Sequence, residues 1–186
     1  LYSHAFLYSN GVMTDLGVLG GQQGTLYGYD DHSYGTSINN NGQVVGVSEN
    51  FNNGAIRAFL YSNGIMTDLS FGGSNSAATG INDSGQVVGI SNSSGVSDVF
   101  LYSSGVVTNL GIVPGASAIN GSGGYGINGS GQVVGSSTEP SGNAQAFLYS
   151  NGVVTLLGTL GGAHSYGYSI NGSGQVVGSS YNISGK

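Results

Sequence analysis

The sequence predicts an all-β fold: a β-propeller of four-stranded antiparallel blades, with four blades and a ring closed by two strands from each terminus. Three observations predict it. One block of about 46 residues recurs four times along the chain. Each copy carries two hairpin signals, hence four short strands. The apolar runs in those strands do not alternate with polar residues, as they would in a sheet with one wet face.

The first hairpin begins at Ala5-Phe6-Leu7-Tyr8-Ser9-Asn10-Gly11. It returns at Ala58 to Gly64, Val99 to Gly105 and Ala146 to Gly152. Asn-Gly between apolar runs signals a type I′ turn, because both central residues need positive φ. The strand that follows, Val-Met-Thr-Asp in the first copy, is polar at its end: Thr14-Asp15, Thr67-Asp68, Thr108-Asn109 and Thr155-Leu156. Polar residues on a short strand suit an exposed edge.

The second hairpin turns after Ile38-Asn39, Ile81-Asn82, Ile127-Asn128 and Ile170-Asn171, and enters a Gln-Val-Val-Gly strand. A glycine in a three- or four-residue loop fits a bulged hairpin, and the asparagine is a good turn residue. The strand ending in Ile-Asn is therefore expected innermost, Gln-Val-Val-Gly second, Ala-Phe-Leu-Tyr third and the Thr-Asp strand outermost.

The chain starts with strands three and four of a blade and finishes with strands one and two. On this reading 1–186 is a single repeat domain. Residues 1–37 plus 170–186 form the closing copy, and the others span 38–80, 81–126 and 127–169. The alternatives are a segment of a larger propeller or array, or a β-solenoid. No apolar run reaches the ~20 residues of a spanning helix, so membrane insertion is not expected. The chain has no signal peptide and opens at Leu1 without methionine, which reads as a processed or excised segment.

Composition excludes several functions. Two basic residues, Arg57 and Lys186, stand against eight acids, for a net charge of −6. Nucleic-acid binding needs a basic footprint, and there is none. Cysteine is absent, so neither disulfides nor thiolate metal sites are available. Glycine is 37 of 186 residues and proline 2, which means many tight turns rather than collagen.

The combined pattern His4-Ala5-Phe6, LYSNGVMTDLG, Leu19-Gly20-Gly21 and SxINxxGQVVGxS resembles the HAF-repeat family of bacterial extracellular proteins. The resemblance covers all four copies and implies an exported location without an activity. Only the first copy keeps the histidine; the others read Arg57-Ala58-Phe59, Asp98-Val99-Phe100 and Gln145-Ala146-Phe147. The blades also look similar to kelch-type blades, which concerns fold alone.

No convergent catalytic set is found, so no enzyme activity, cofactor or metal is expected. His32 and His164 occupy equivalent positions, but Asn75 and Gly121 stand there in the other copies. Asp15 and Asp68 lie on outer strands, away from any cavity, and Asp83 lies in a turn. Copy one carries an insertion at roughly 22–31, a variable loop on a rigid scaffold, where binding often resides. Candidate ligand-binding residues are Tyr27, Tyr29, Asp30, Asp31, His32 and Tyr34 from that region, with His164, Tyr166 and Tyr168 at the matching end. Tyrosines beside asparagine and serine can stack on sugar rings; the competing role is to plug a narrow channel. The expected function is a non-catalytic extracellular or cell-surface scaffold for adhesion, matrix or self-assembly. A carbohydrate-binding propeller is second, and a glycosidase or lyase a distant third. Expected partners are other copies of the chain or an extracellular glycan.

Overall fold

The computed structural model describes residues 3–20, 32–50, 54–70, 75–93, 96–110, 124–139 and 141–183. Among them every regular element is a strand, as the hairpin pattern predicts. β1 (Phe6–Ser9) and β2 (Val12–Asp15) form a hairpin by themselves. Three four-stranded antiparallel meanders follow. The first is β3 (His32–Ile38), β4 (Val44–Asn50), β5 (Ala55–Ser62) and β6 (Ile65–Asp68). The second is β7 (Asn75–Ile81), β8 (Val87–Ser93), β9 (Val96–Ser103) and β10 (Val106–Asn109). The third is β11 (Gly124–Ile127), β12 (Val133–Thr138), β13 (Ala144–Ser150) and β14 (Val153–Gly158). A last hairpin pairs β15 (Gly161–Ile170) with β16 (Val176–Asn182). The strand order within each meander is the one expected. One parallel bridge, Ile56 to Asn75, joins the first two meanders.

Both turn types are as the residues require. Asn10-Gly11, Asn63-Gly64 and Asn151-Gly152 have φ of 51/81°, 52/82° and 51/83°. Ser104-Gly105 adopts the same pair at 50/84°, a left-handed position that serine fills less readily than asparagine. In the second hairpin, the Gly42 N–H donates to the Asn39 carbonyl at 3.1 Å, and Gly42 takes φ of 73°. The same bond and glycine recur at Gly85, Gly131 and Gly174.

The absence of alternation has its expected cause. Neighbouring residues on a strand point to opposite faces, yet Val87 and Val88 are both fully buried, as are Val133 and Val134. Each meander is thus covered on two sides. The key side chain is the phenylalanine of the third strand. Phe59 lies in one buried cluster with Ala5, Leu16 and Val44, and Phe100 in another with Ala58, Leu69 and Val87. Phe147 clusters with Val99 and Val133, and Leu110 packs against them. The alanine or valine and the leucine come each time from the preceding sheet, so the phenylalanine plugs into its neighbour. Glycine forms the floor. A Cβ at Gly46 would stand 2.9 Å from the Phe59 ring, and one at Gly89 would stand 2.6 Å from the Phe100 ring.

The closing copy expected from 1–37 plus 170–186 is not shown as one sheet. β1–β2 and β15–β16 are separate two-stranded sheets, and no β1–β16 pairing is formed among the described residues. β1–β2 sits beside β3, as the outer halves of the later sheets sit beside the first strand of the next. The Ser33 N–H donates to the Ser3 carbonyl at 2.9 Å, and the Ala5 N–H to Ser33 Oγ at 2.9 Å. Those bonds place the opening hairpin as the outer half of a sheet that precedes β3.

Candidate functional site

The first strands of the sheets carry most of the predicted site residues, and the structure shows what holds them. Ser33, Ser76 and Ser165 stand at equivalent places on β3, β7 and β15. Each accepts the N–H of the preceding sheet's Ala5, Ala58 or Ala146, at 2.9 Å in every case. One residue earlier stand His32, Asn75 and His164. His32 Nδ1 accepts the Ser3 N–H at 3.0 Å, Asn75 Oδ1 the Ile56 N–H at 3.0 Å, and His164 Nδ1 the Ala144 N–H at 3.0 Å. The two histidines therefore act as acceptors for a neighbouring strand, a task asparagine performs in the copy between them. Replacing His164 by Asn is accordingly expected to leave the denaturation midpoint nearly unchanged. Replacing it by Leu orphans the Ala144 N–H and costs about 1 kcal/mol; urea titration of both variants checks this.

Asparagine does more than make its turn. Asn39, Asn82 and Asn128 each accept two backbone N–H bonds at Oδ1 within their own hairpin, at 3.0–3.1 Å. Each Nδ2 then donates twice: to the local glutamine Oε1, and to the backbone carbonyl of the next repeat's asparagine. The second bond runs Asn39 to Asn82 at 2.9 Å, Asn82 to Asn128 at 2.9 Å and Asn128 to Asn171 at 3.0 Å. The result is a ladder that ties all four second hairpins together. Sequence reasoning finds the turn bond and misses the ladder. The available signal was the recurrence of asparagine in all four copies, where serine or aspartate could also cap the turn. Asn40 extends the tie: its N–H and Nδ2 reach the Asp83 carboxylate at 2.9 and 2.8 Å. These bonds hold the Asp83 carboxyl below the ordinary aspartate value.

Three of the exposed aromatic residues, Tyr34, Tyr125 and Tyr168, lie on the first strands of their sheets, β3, β11 and β15. Thr36, Thr79, Tyr125 and Tyr168 are equivalent by position. Thr36 and Thr79 bond the backbone carbonyls of Val45 and Val88, and Thr36 also that of Ala78. In the last two sheets tyrosine replaces threonine. Tyr125 and Tyr168 then meet edge to face, with centroids 6.1 Å apart. The Tyr168 hydroxyl lies 2.8 Å from Ser179 Oγ, and half of the Tyr168 surface is open to solvent. Tyr166 stacks on His164, and Tyr34 on His32, with centroids 6.4 and 6.3 Å apart. Of the predicted residues, His164, Tyr166 and Tyr168 thus gather on β15, while His32 and Tyr34 sit on β3 at the other end of the array. Tyr27, Tyr29, Asp30 and Asp31 lie outside the described residues. Tyr125 joins the β15 group from β11.

The acids are occupied on the outer hairpins. The position before Ala-Phe faces the end of the outermost strand. His4 Nδ1 lies 2.9 Å from the Asp15 carboxylate, and the Arg57 guanidinium 2.8 Å from Asp68. In the third copy the polarity is exchanged, and Asn109 Nδ2 donates to Asp98 at 2.8 Å. Where Leu156 removes the acceptor, Gln145 turns to Glu139 at 2.6 Å. The histidine of the His-Ala-Phe triplet is one version of a cross-strand polar pair. Hydrogen bonds from His4 and the Gly17 N–H hold the Asp15 carboxyl below its usual value. Burial pushes Asp68 up, but bonds from Ser70 and Arg57 outweigh it and leave the carboxyl lowered. Lowered carboxyls are ionised at neutral pH and poor proton donors. Among the described residues no three metal-ligating side chains converge.

Comparison with known proteins supports the architecture. No family model matches the chain, and no curated protein matches it. Among solved structures it is similar to TolB from Acinetobacter baumannii, a β-propeller-type protein, at 17% identity and a TM-score of 0.57. The likeness covers 80% of this chain and 38% of that one, and it concerns fold alone. The chain therefore spans well under half the length of the protein it matches.

Proposed function

We propose that the chain is a non-catalytic extracellular or cell-surface scaffold of propeller-type blades, serving adhesion, matrix formation or self-assembly. The observation that carries this reading is where the polar chemistry goes. The repeated Asn, Ser and His side chains of the inner strands and turns bond one repeat to the next. Such groups maintain a stack rather than converge on a substrate. The resemblance to HAF-repeat proteins supports the exported location.

A second reading, carbohydrate binding, is favoured by the exposed Tyr125–Tyr168 pair beside Ser179. Aromatic faces stack on sugar rings, and adjacent hydroxyls bond theirs. A glycan array with the wild type and the Tyr125→Ala and Tyr168→Ala variants separates the two. The scaffold reading expects no saturable sugar binding. Saturable binding that falls at least ~10-fold in both variants would instead establish the second reading. Release of reducing sugar from a polysaccharide panel would overturn both.

A further inference from the structure

The outermost strands β2, β6, β10 and β14 each pair on one side only among the described residues. Their other side is a free β edge. Natural sheets place charge on such edges to keep other chains from pairing with them. β2 ends on Asp15 and β6 on Asp68, and beside β10 the Asp98 carboxylate accepts from Asn109 at 2.8 Å. β14 differs. Its residues, Val153 to Gly158, carry no charge, and Leu156 stands where Asp15 and Asp68 stand. Gln145, in the place of His4 and Arg57, bonds Glu139 instead.

The phase of the hairpins shows which backbone groups are free. The Leu16, Leu69 and Leu110 N–H groups donate inward to the carbonyls of Ala5, Ala58 and Val99, at 2.8–3.0 Å. Hydrogen-bonded pairs alternate along an antiparallel ladder, so Thr14, Thr67 and Thr108 also bond inward, and the residues on either side of each point outward. β14 follows the same Asn-Gly turn, with Thr155 opposite Leu148. The N–H and C=O groups of Val154 and Leu156 therefore point away from β13.

We propose that β14 pairs antiparallel with β14 of a second copy of this chain, about a two-fold axis at Thr155. Val154 of each copy then exchanges both backbone bonds with Leu156 of the other, and the two Thr155 side chains face one another, a favourable cross-strand pair. A second copy is the occupant because of what marks the other edges. The same pairing at β6 would draw two Asp68 carboxylates into one sheet, and at β2 two Asp15 carboxylates; at β14 it draws in none. On a chain of net charge −6, the uncharged edge is where two copies meet with least repulsion. β14 is also ordered beforehand by its ladder with β13, so it loses less conformational entropy on pairing than a free peptide would. The contact is isologous and closes as a dimer.

The proposal rests on the self-assembly part of the function proposed above and names the edge that carries it. The chain has no cysteine, so one introduced cysteine reports one contact. Thr155→Cys, oxidised with copper phenanthroline, is expected to give a disulfide-linked dimer, because facing residues of a non-hydrogen-bonded pair lie about 4.5 Å apart at Cα. Thr67→Cys, also exposed and at the equivalent place on β6, is expected to link at least ~10-fold more slowly. Sedimentation equilibrium measures the affinity. Leu156→Asp restores the carboxylate of the first two copies and is expected to weaken the dimer by roughly 100-fold. Val154→Pro serves should that variant lose its folded signal, since it removes an outward N–H and leaves the bonds to β13 in place. Equal cross-linking at Thr155 and Thr67, or association that persists unchanged in both edge variants, would overturn the edge while leaving assembly standing. A strict monomer at every concentration would overturn both.

Discussion

Replacing Phe100 by Ala is expected to destabilise the chain by about 3–5 kcal/mol, the range for deleting a buried aromatic side chain. The reason lies in two sheets at once. The ring rests on Gly89 of its own sheet and clusters with Ala58, Leu69 and Val87, all nearly or fully buried. Its loss opens a cavity between sheets, and backbone bonds on both sides prevent collapse. Phe6→Ala provides the contrast within the same motif. It is expected to shift stability by no more than about 1 kcal/mol, because more than half of the residue is already exposed. Urea unfolding of both variants, followed by near-ultraviolet circular dichroism, measures the difference. Equal losses would mean that Phe6 is covered.

Asn82→Asp is expected to have the second largest effect, about 2–4 kcal/mol at neutral pH. Asn82 is buried, and its Nδ2 donates to two acceptors, Gln86 Oε1 and the Asn128 carbonyl. A carboxylate there turns two attractive contacts into repulsive ones. The glutamine amide can rotate, but the backbone carbonyl has no donor to offer. The pH dependence carries the diagnosis. Burial beside acceptors raises the folded-state pKa of the new carboxyl above its unfolded value. Its penalty is therefore small below pH about 4 and develops as pH rises through the folded pKa. The native carboxyls behave oppositely. Asp68 and Asp83 lie below 3.8 in the folded state, so their contribution is present above that pH and is lost as pH falls further. The gap between wild type and variant should thus narrow on acidification. A pH-independent gap would mean that the ladder bond to Asn128 contributes nothing.

Much of this molecule was legible because its information is local. Asn-Gly, Ser-Gly and the glycine after Ile-Asn each specify a backbone conformation over four residues, and every described turn adopts it. The valine pairs and the Phe-Leu pair specify burial on both faces through the two-residue strand period, and hence the strand order of each meander. Partnerships across repeats were not legible in that way. The Asn82–Asn128 bond spans 46 residues and the Ala5–Ser33 bond 28, so neither is expressed in any local pattern. Sequence alone fixes a four-stranded unit, the side chains that line it and the residues that turn it. Only the tertiary structure decides how units are tilted against one another, because that angle is set by side-chain contacts between sheets. It thereby decides that the histidines serve as strand acceptors and that the asparagines form a ladder.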